Sequence, residues 1–497
     1  MVKTAYHWKF VTVFISSLLM VLSSFSAAFA RMVTQITPTL TISEEYSDNY
    51  LKTAANKQEE YITSYGLGFT IGFLEKTSEI YLAYNPVYKD YKNLDARDGL
   101  LHNASLDGKF TPTQFTDINT HLAYTSNTDN NAGESWQNIA SVFGNTRISK
   151  NTTLDYFESY SRNFGEQERT GAFREHDTNR TSAGITHQFG ENDRMGAKFL
   201  YSFDKSDTAD ADEHKKYNPS VFATYWLTPL NGLDSNLAYE NTDFDTSSND
   251  TRTYSGHLRY LRKFSKHFDG YLKYRHSHSE RDTGDHDIYH PSIGFDWQVT
   301  KDSGISLGIG AMFHEWENAN KDSTEPFLDM DAYKIFNFSR RGSLAITGSS
   351  GYSEAGGSSD SIANTTSTSP GTSLPGTEAA SLGFRTYYQA GAQLNYQLLK
   401  QLSSNVFSSY RLNDYQETGV DRKDNRLTMG GGLSWLPLRW LQFKLTYTYT
   451  DFDTDAAAQR GDYTENRAFL SINFIPEQPV RMDFMPSRQS LETEVFQ

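Results

Sequence analysis

The chain has 497 residues, no cysteine, 61 acidic against 46 basic side chains and a formal net charge of −15. Disulfides, thiolate metal sites and a lipoprotein anchor are therefore excluded, and so acidic a chain lacks the basic surface that nucleic acid demands. Only 37% of the residues are hydrophobic, yet there are 31 Tyr, 32 Phe and 7 Trp, a pairing that a barrel in lipid accommodates because every second side chain meets hydrocarbon and its neighbours meet water.

The first 30 residues read as a cleaved secretory signal peptide. Lys3, His7 and Lys9 form a basic start, Phe10 to Leu22 is an almost unbroken apolar run, and Ala28-Phe29-Ala30 supplies the small-x-small site for cleavage near Ala30. The apolar stretch is too short for a comfortable membrane anchor, and no later segment has the length of a transmembrane helix. Loss of Lys3 and Lys9 takes the mature charge to about −17.

From there the dominant signal is period-two alternation, the mark of a strand with two unlike faces. A first strand is expected near Thr37–Tyr46. Tyr65, Leu67, Phe69, Ile71 and Phe73 alternate with Gly66, Gly68, Thr70 and Gly72. The same pattern returns at Ile305–Phe313, Leu382–Tyr396, Leu427–Trp435 and Leu441–Tyr449, and a closing strand is expected near Arg467–Phe474. Helical spacing fits none of these runs. Short polar turns are expected at Glu75-Lys76, Thr111-Pro112, Lys150-Asn151, Glu191-Asn192, Asn231-Gly232, Ser265-Lys266, Lys301-Asp302, Arg341-Gly342, Lys400-Gln401 and Pro437-Leu438. Longer acidic or Ser/Gly-rich loops lie between them, at Asp204–Lys216, Thr246–Asp250, Glu354–Thr377 and Asp453–Gly461.

Short turns at one end and long loops at the other predict an all-β, transmembrane, antiparallel up-and-down barrel of about 22 strands, within roughly 18 to 24. The turns would face the periplasm, with both termini on that side. Residues 31–474 form the barrel and residues 475–497 a polar C-terminal tail. The first strand begins close to the cleavage site, so no plug domain is expected. Pro86, Pro219 and Pro291 fall toward the long-loop end, where strand pairing can lapse. Lys334 falls on an apolar face unless a bulge intervenes. Soluble sandwich arrays, solenoids and propellers are disfavoured by the strand lengths and by the lack of a fixed repeat.

Ile36 to Asn49 resembles the opening of outer-membrane barrels of the beta-barrel porin 2 group, as do Tyr81 to Tyr88 with Tyr91 and Leu101 to Gly108. The resemblance is motif-like over about the first 110 residues and architectural beyond them. It implies an outer-membrane barrel, with relatives encoded beside exopolysaccharide-export and exosortase systems, and it brings no catalytic residues. Such barrels usually end on an aromatic-terminated strand. Here a polar tail follows Phe474, so the assembly signal is expected to be internal, at Phe474 rather than at Val495-Phe496.

Lumen-facing positions by alternation are Lys109, Lys198, Arg259, Lys273, Arg385, Arg411 and Lys444, with Asp107, Asp117, Asp234, Glu240, Asp269 and Asp296. Rings of such charge can set selectivity, and a slight basic excess would favour anions, but they can equally solvate a lumen or pair across it. Asp204, Asp207, Asp210, Asp212 and Glu213, and Asp451, Asp453 and Asp455, read as solvated outer loops, with divalent bridging to lipopolysaccharide phosphate as the runner-up. His276, His278, His286 and His290 with Asp285 flank one loop but lack a metal-binding motif. No nucleophile, base and orienting group share a recognisable spacing, and Gly356–Thr377 lacks the lysine of a phosphate loop, so neither enzyme activity nor a cofactor is expected.

The function expected is a porin-like channel of the bacterial outer membrane, passing small polar solutes or an exported polysaccharide. The alternative is a scaffold barrel that sheaths a partner such as an electron-transfer protein, or that displays adhesive loops. Expected partners are membrane lipid and lipopolysaccharide, the barrel-assembly machinery and polysaccharide-export proteins, and no nucleic acid.

Overall fold

The computed structural model describes residues 33–129, 133–166, 173–206, 213–245, 250–281, 284–317, 322–354, 384–416, 421–455, 462–477 and 479–482. The expected signal peptide, residues 1–30, and nearly all of the Glu354–Thr377 loop lie outside them.

The chain runs as consecutive antiparallel hairpins. β1 (Val33–Ser47) pairs β2 (Glu60–Leu74), which pairs both β3 (Ser78–Tyr84) and β4 (Val87–Tyr91). These two are one crossing interrupted at Asn85-Pro86, where proline has no N–H to give the ladder. β5 (Gly99–Thr113), β6 (Thr116–Asp129), β7 (Gly133–Ser149), β8 (Thr152–Glu166), β9 (Phe173–Gln188) and β10 (Arg194–Ser206) follow. Next come β11 (His214–Thr228), β12 (Asn231–Phe244), β13 (Thr251–Ser265), β14 (Phe268–Arg281), β15 (His286–Thr300) and β16 (Ser303–Trp316). The wall is completed by β17 (Ser323–Ser339), β18 (Gly342–Glu354), β19 (Phe384–Leu399), β20 (Leu402–Gln416), β21 (Asp421–Leu438), β22 (Leu441–Thr454) and β23 (Tyr463–Phe474).

β23 then pairs β1, Leu40 against Phe474 through Ser47 against Arg467, and the sheet closes on itself. A three-residue β24 (Val480–Met482) adds to β1 below that closure, against Thr34–Ile36. With β3 and β4 as one crossing and β24 as an appendage, the barrel has 22 strands.

The short turns are where the sequence places them or up to three residues away, and a repeated device explains the offset. The ladder slips by one or more residues just before most of these turns, for example at Lys263/Ser265, Gln298/Thr300 and Asn337/Ser339. The hydroxyl that ends the strand then accepts the backbone N–H two residues on. Thr113, Ser149, Thr228, Ser265, Thr300 and Ser339 all do this, a side-chain turn that replaces a ladder hydrogen bond.

Proline marks the other irregularities. Pairing of β15 with β16 skips from Tyr289↔Phe313 to Ser292↔Gly310, across Pro291. Pairing of β11 with β12 skips from Tyr217↔Asn241 to Ser220↔Ala238, across Pro219. Lys334 remains on the outer face beside Ile346, since the bulge in β17 comes later, and its ammonium lies 4.8 Å over the Phe336 ring near the short-turn rim. A long stem can snorkel in that way.

Candidate functional site on the lumenal wall

Two chemically distinct faces follow from the alternation. On the outside Leu67, Val221, Leu237, Ile293, Ile309 and Leu433 are 43–66% exposed, which in lipid is burial in hydrocarbon. Their strand neighbours face the lumen, and there the charged side chains gather.

Arg259 on β13 reaches past β14 to Asp296 on β15, with Nη2 2.5 Å from Oδ2. Its guanidinium lies 3.8 Å over Tyr271, and Ser306 donates to the other Asp296 oxygen at 2.7 Å. Lys273 on β14 reaches Asp329 on β17 at 3.1 Å. Asp234 accepts from Thr224 at 2.8 Å and sits 3.1 Å from the His257 ring. Lys216 meets Glu240 at 2.6 Å, and Asp107 meets His121 at 2.6 Å. Charges on β11 to β17 thus form a lattice of opposite-sign pairs, with Asp269 on the same face of β14.

Other sequence candidates lie apart. Arg411 bonds Asn413 at 3.0 Å and stacks 5.8 Å over Tyr387. Lys109 on β5, Asp117 on β6, Lys198 on β10 and Lys444 on β22 occupy the inner face by alternation. Arg385 lies on β19, its side chain outside the described residues.

The histidines separate by parity. His276 and His278 point outward, both within 3.0 Å of Asp287. His286 and His290 point inward, where His286 stacks on Trp316 and stands 3.3 Å from His314. The four cannot converge on one ion, and among the described residues no group of three or more His, Cys, Asp or Glu is placed to hold one.

Of the acidic loops, Asp207, Asp210 and Asp212 lie outside the described residues. Asp204 is engaged by Thr178 at 2.9 Å and flanked by His176 and His214. At the long-loop rim, past Tyr449 and so beyond the outer apolar band of β22, the Asp453 carboxyl is held above its usual range. A hydrogen bond with Asp462 is the first cause and repulsion from that carboxylate the second.

What sequence reasoning missed is an apolar cluster on the inner wall. Ile288 (1% exposed), Met312 (0%) and Phe327 pack together with Tyr352 against them. The missed signal was an apolar residue recurring on the polar parity of adjacent strands.

Residues 366–474 match the family model described as "Putative beta-barrel porin 2". That stretch covers β19 to β23, the opposite end of the chain from the motifs that first suggested this porin group. Together with the closed 22-stranded wall, that match points to the bacterial outer membrane. No curated protein matches the sequence.

Among solved structures, the chain is similar to the ferric-catecholate import receptor Fiu of E. coli K12 (TM-score 0.53, 10% identity, 89% of this chain and 81% of that one). It is also similar to the siderophore receptor PirA of Pseudomonas aeruginosa (0.51, 8%, 88% and 80%) and to a mutant of the ferric enterobactin receptor PfeA of the same organism in complex with enterobactin (0.52, 7%, 89% and 81%). At such identity the likeness is one of fold.

These neighbours overturn the expectation of a barrel without a plug domain, because siderophore receptors carry one. The physical reason is width: a 22-stranded wall encloses more space than its own side chains fill. The starting position of the first strand was a poor guide to what occupies that space. Ile288 and Met312 face inward and are nevertheless buried, packed with Phe327 and Tyr352 of the same chain.

Proposed function

We propose that this barrel is a porin-like passage of the outer membrane for polar, largely uncharged solutes, with an exported polysaccharide chain among the candidates. The observation that carries the reading is the pairing of lumenal charge: Arg259 with Asp296, Lys273 with Asp329 and Lys216 with Glu240. A wall so paired is rich in hydrogen-bonding groups and poor in net field, which suits hydroxylated solutes better than ions. The reading includes export by residues 1–30, assembly by the barrel machinery and no catalytic step. The likeness to siderophore receptors is one of fold and supplies no substrate.

Planar-bilayer recording and liposome swelling test it. Ohmic steps with an anion-to-cation permeability ratio near one, and swelling in neutral sugars, are expected. Folded protein that gives neither overturns the reading. A second reading, a scaffold barrel around a partner protein, rests on the width of a 22-stranded wall, and co-purification of a lumenal partner with a non-conducting barrel is its expected result.

A further inference from the structure

The ladder between β17 and β18 runs only as far as Met330↔Ser350, whereas β16 continues to pair β17 out to Ser323. Residue chemistry explains the stop. The Ser350 hydroxyl accepts the Met330 N–H at 2.9 Å and donates to the Leu328 carbonyl at 2.6 Å, so even-numbered residues of β17 address β18. Pro326 is the next but one of these, and it has no N–H to offer. The lapse lies at the height of the outer apolar band, since Leu328 pairs with Ile309 and Thr324 with Phe313. A seam in the wall there faces the outer leaflet.

On the lumenal side of the seam sits the apolar cluster. Phe327 and Tyr352 meet edge to face at 5.4 Å. His290 packs its ring against Phe327 at 4.8 Å. It is 1% exposed, and neither of its ring nitrogens has a hydrogen-bond partner. Ser292, one inward position along, is 8% exposed with its hydroxyl also unpartnered. Arg275 faces His290 across β14–β15 and holds its guanidinium 4.2 Å over Tyr352. No carboxylate pairs with that guanidinium among the described residues, unlike Arg259 and Lys273. Buried polar groups without partners are costly and rare, and here two adjoin an uncompensated guanidinium beside an apolar pad.

We propose that this corner binds an amphiphile with an anionic head and one acyl chain. Arg275, His290 and Ser292 take the head, while Phe327, Ile288 and Met312 line the start of the chain, which leaves through the β17–β18 seam into lipid. The guanidinium selects the anion, because it can only donate. Hydrocarbon on both sides of the seam selects the chain.

Palmitate is the probe, added to the full-length barrel in non-ionic detergent. Saturable binding near one per barrel is expected, with hexadecanol and acetate each at least tenfold weaker. Arg275→Gln should weaken palmitate at least tenfold and leave hexadecanol unchanged, and Arg275→Lys should restore most of the affinity. Palmitate with a photoreactive group at its tail should label peptides 323–330 and 346–354 above the rest of the wall. Heat-modifiable gel mobility verifies that each variant is folded. Non-saturable uptake, equal binding of hexadecanol, binding unmoved by Arg275→Gln, or labelling spread around the barrel would each overturn the proposal. None of these readouts depends on conductance, so this site and the channel reading fail separately.

Discussion

Tyr271 lies flat over positions where only glycine leaves room. A Cβ on Gly294 would stand 2.4 Å from the Tyr271 ring and 2.2 Å from the Leu307 carbonyl oxygen, and Arg259 stacks on the same ring. Gly294→Val should therefore displace the ring and the Arg259–Asp296 pair, costing about 1–3 kcal/mol as overpacking does and lowering the temperature at which the barrel loses its compact gel mobility. Asp296→Asn is gentler. It leaves Arg259 with a neutral partner on a partly exposed wall, so stability should change by about 1 kcal/mol or less. The reversal potential in a salt gradient should move toward anion preference. At the rim the raised Asp453 carboxyl gives a pH dependence with a definite sign. A carboxyl whose affinity for its proton rises on folding supplies stability in acid that is lost as pH rises through its folded pKa. Asp462→Asn removes the repulsion, so it should raise the melting midpoint at pH 7 and leave it unchanged at pH 3.5. Alternation in the sequence separates the residues of the inner face from those of the outer. It contains nothing about who pairs with whom, because Arg259 and Asp296 are 37 residues apart and Lys273 and Asp329 are 56.

Hairpins were the most legible level, since each needs only a period-two pattern and a turn. Turn positions were blurred because the Ser or Thr that caps six of the turns looks like any other polar strand residue until its hydroxyl is seen on the N–H two places on. Replacing one such hydroxyl, as in Ser265→Ala, should cost about 0.5–1.5 kcal/mol, the net value of an ordinary hydrogen bond, measurable in urea unfolding from micelles. Prolines 86, 219 and 291 were readable as breaks. Pro326 was not, since its strand continues past it on the β16 side and fails only toward β18. Amide exchange separates the two edges. The N–H groups of Thr324 and Leu328, directed at the lapsed ladder, should exchange at least tenfold faster than that of Phe327, directed at β16. Equal protection would mean that the ladder is whole in solution.

For the whole molecule, strand number followed from counting turns, whereas the contents of the lumen did not. Sequence alternation reports that a residue faces inward and is silent on what stands opposite. Export supplies the prediction at this scale: protein recovered from outer membranes should begin at Arg31, and a chain retaining residue 1 at full abundance would refute cleavage there. The closing strand supplies another. Phe474 pairs with both Leu40 and Leu441 and stacks on Trp440 at 6.2 Å, so Phe474→Ala should impair assembly far more than removal of Val495 and Phe496. Heat-modifiable protein per cell is the readout.

Closure joins partners as distant as Thr41 and Asn473, 432 residues apart. By loop-closure scaling the entropic cost of that meeting is only on the order of 5 kcal/mol, because it grows with the logarithm of length. The difficulty is one of timing. β1 bonds on one side to its sequence neighbour β2, while its other edge has no partner until β23, from the far end of the chain, docks there. Through that interval the unclosed sheet offers two raw edges, each a template for any passing strand. Both terminal strands therefore need protection until they meet, and the pairing of β1 with β23 is the step that ends the hazard.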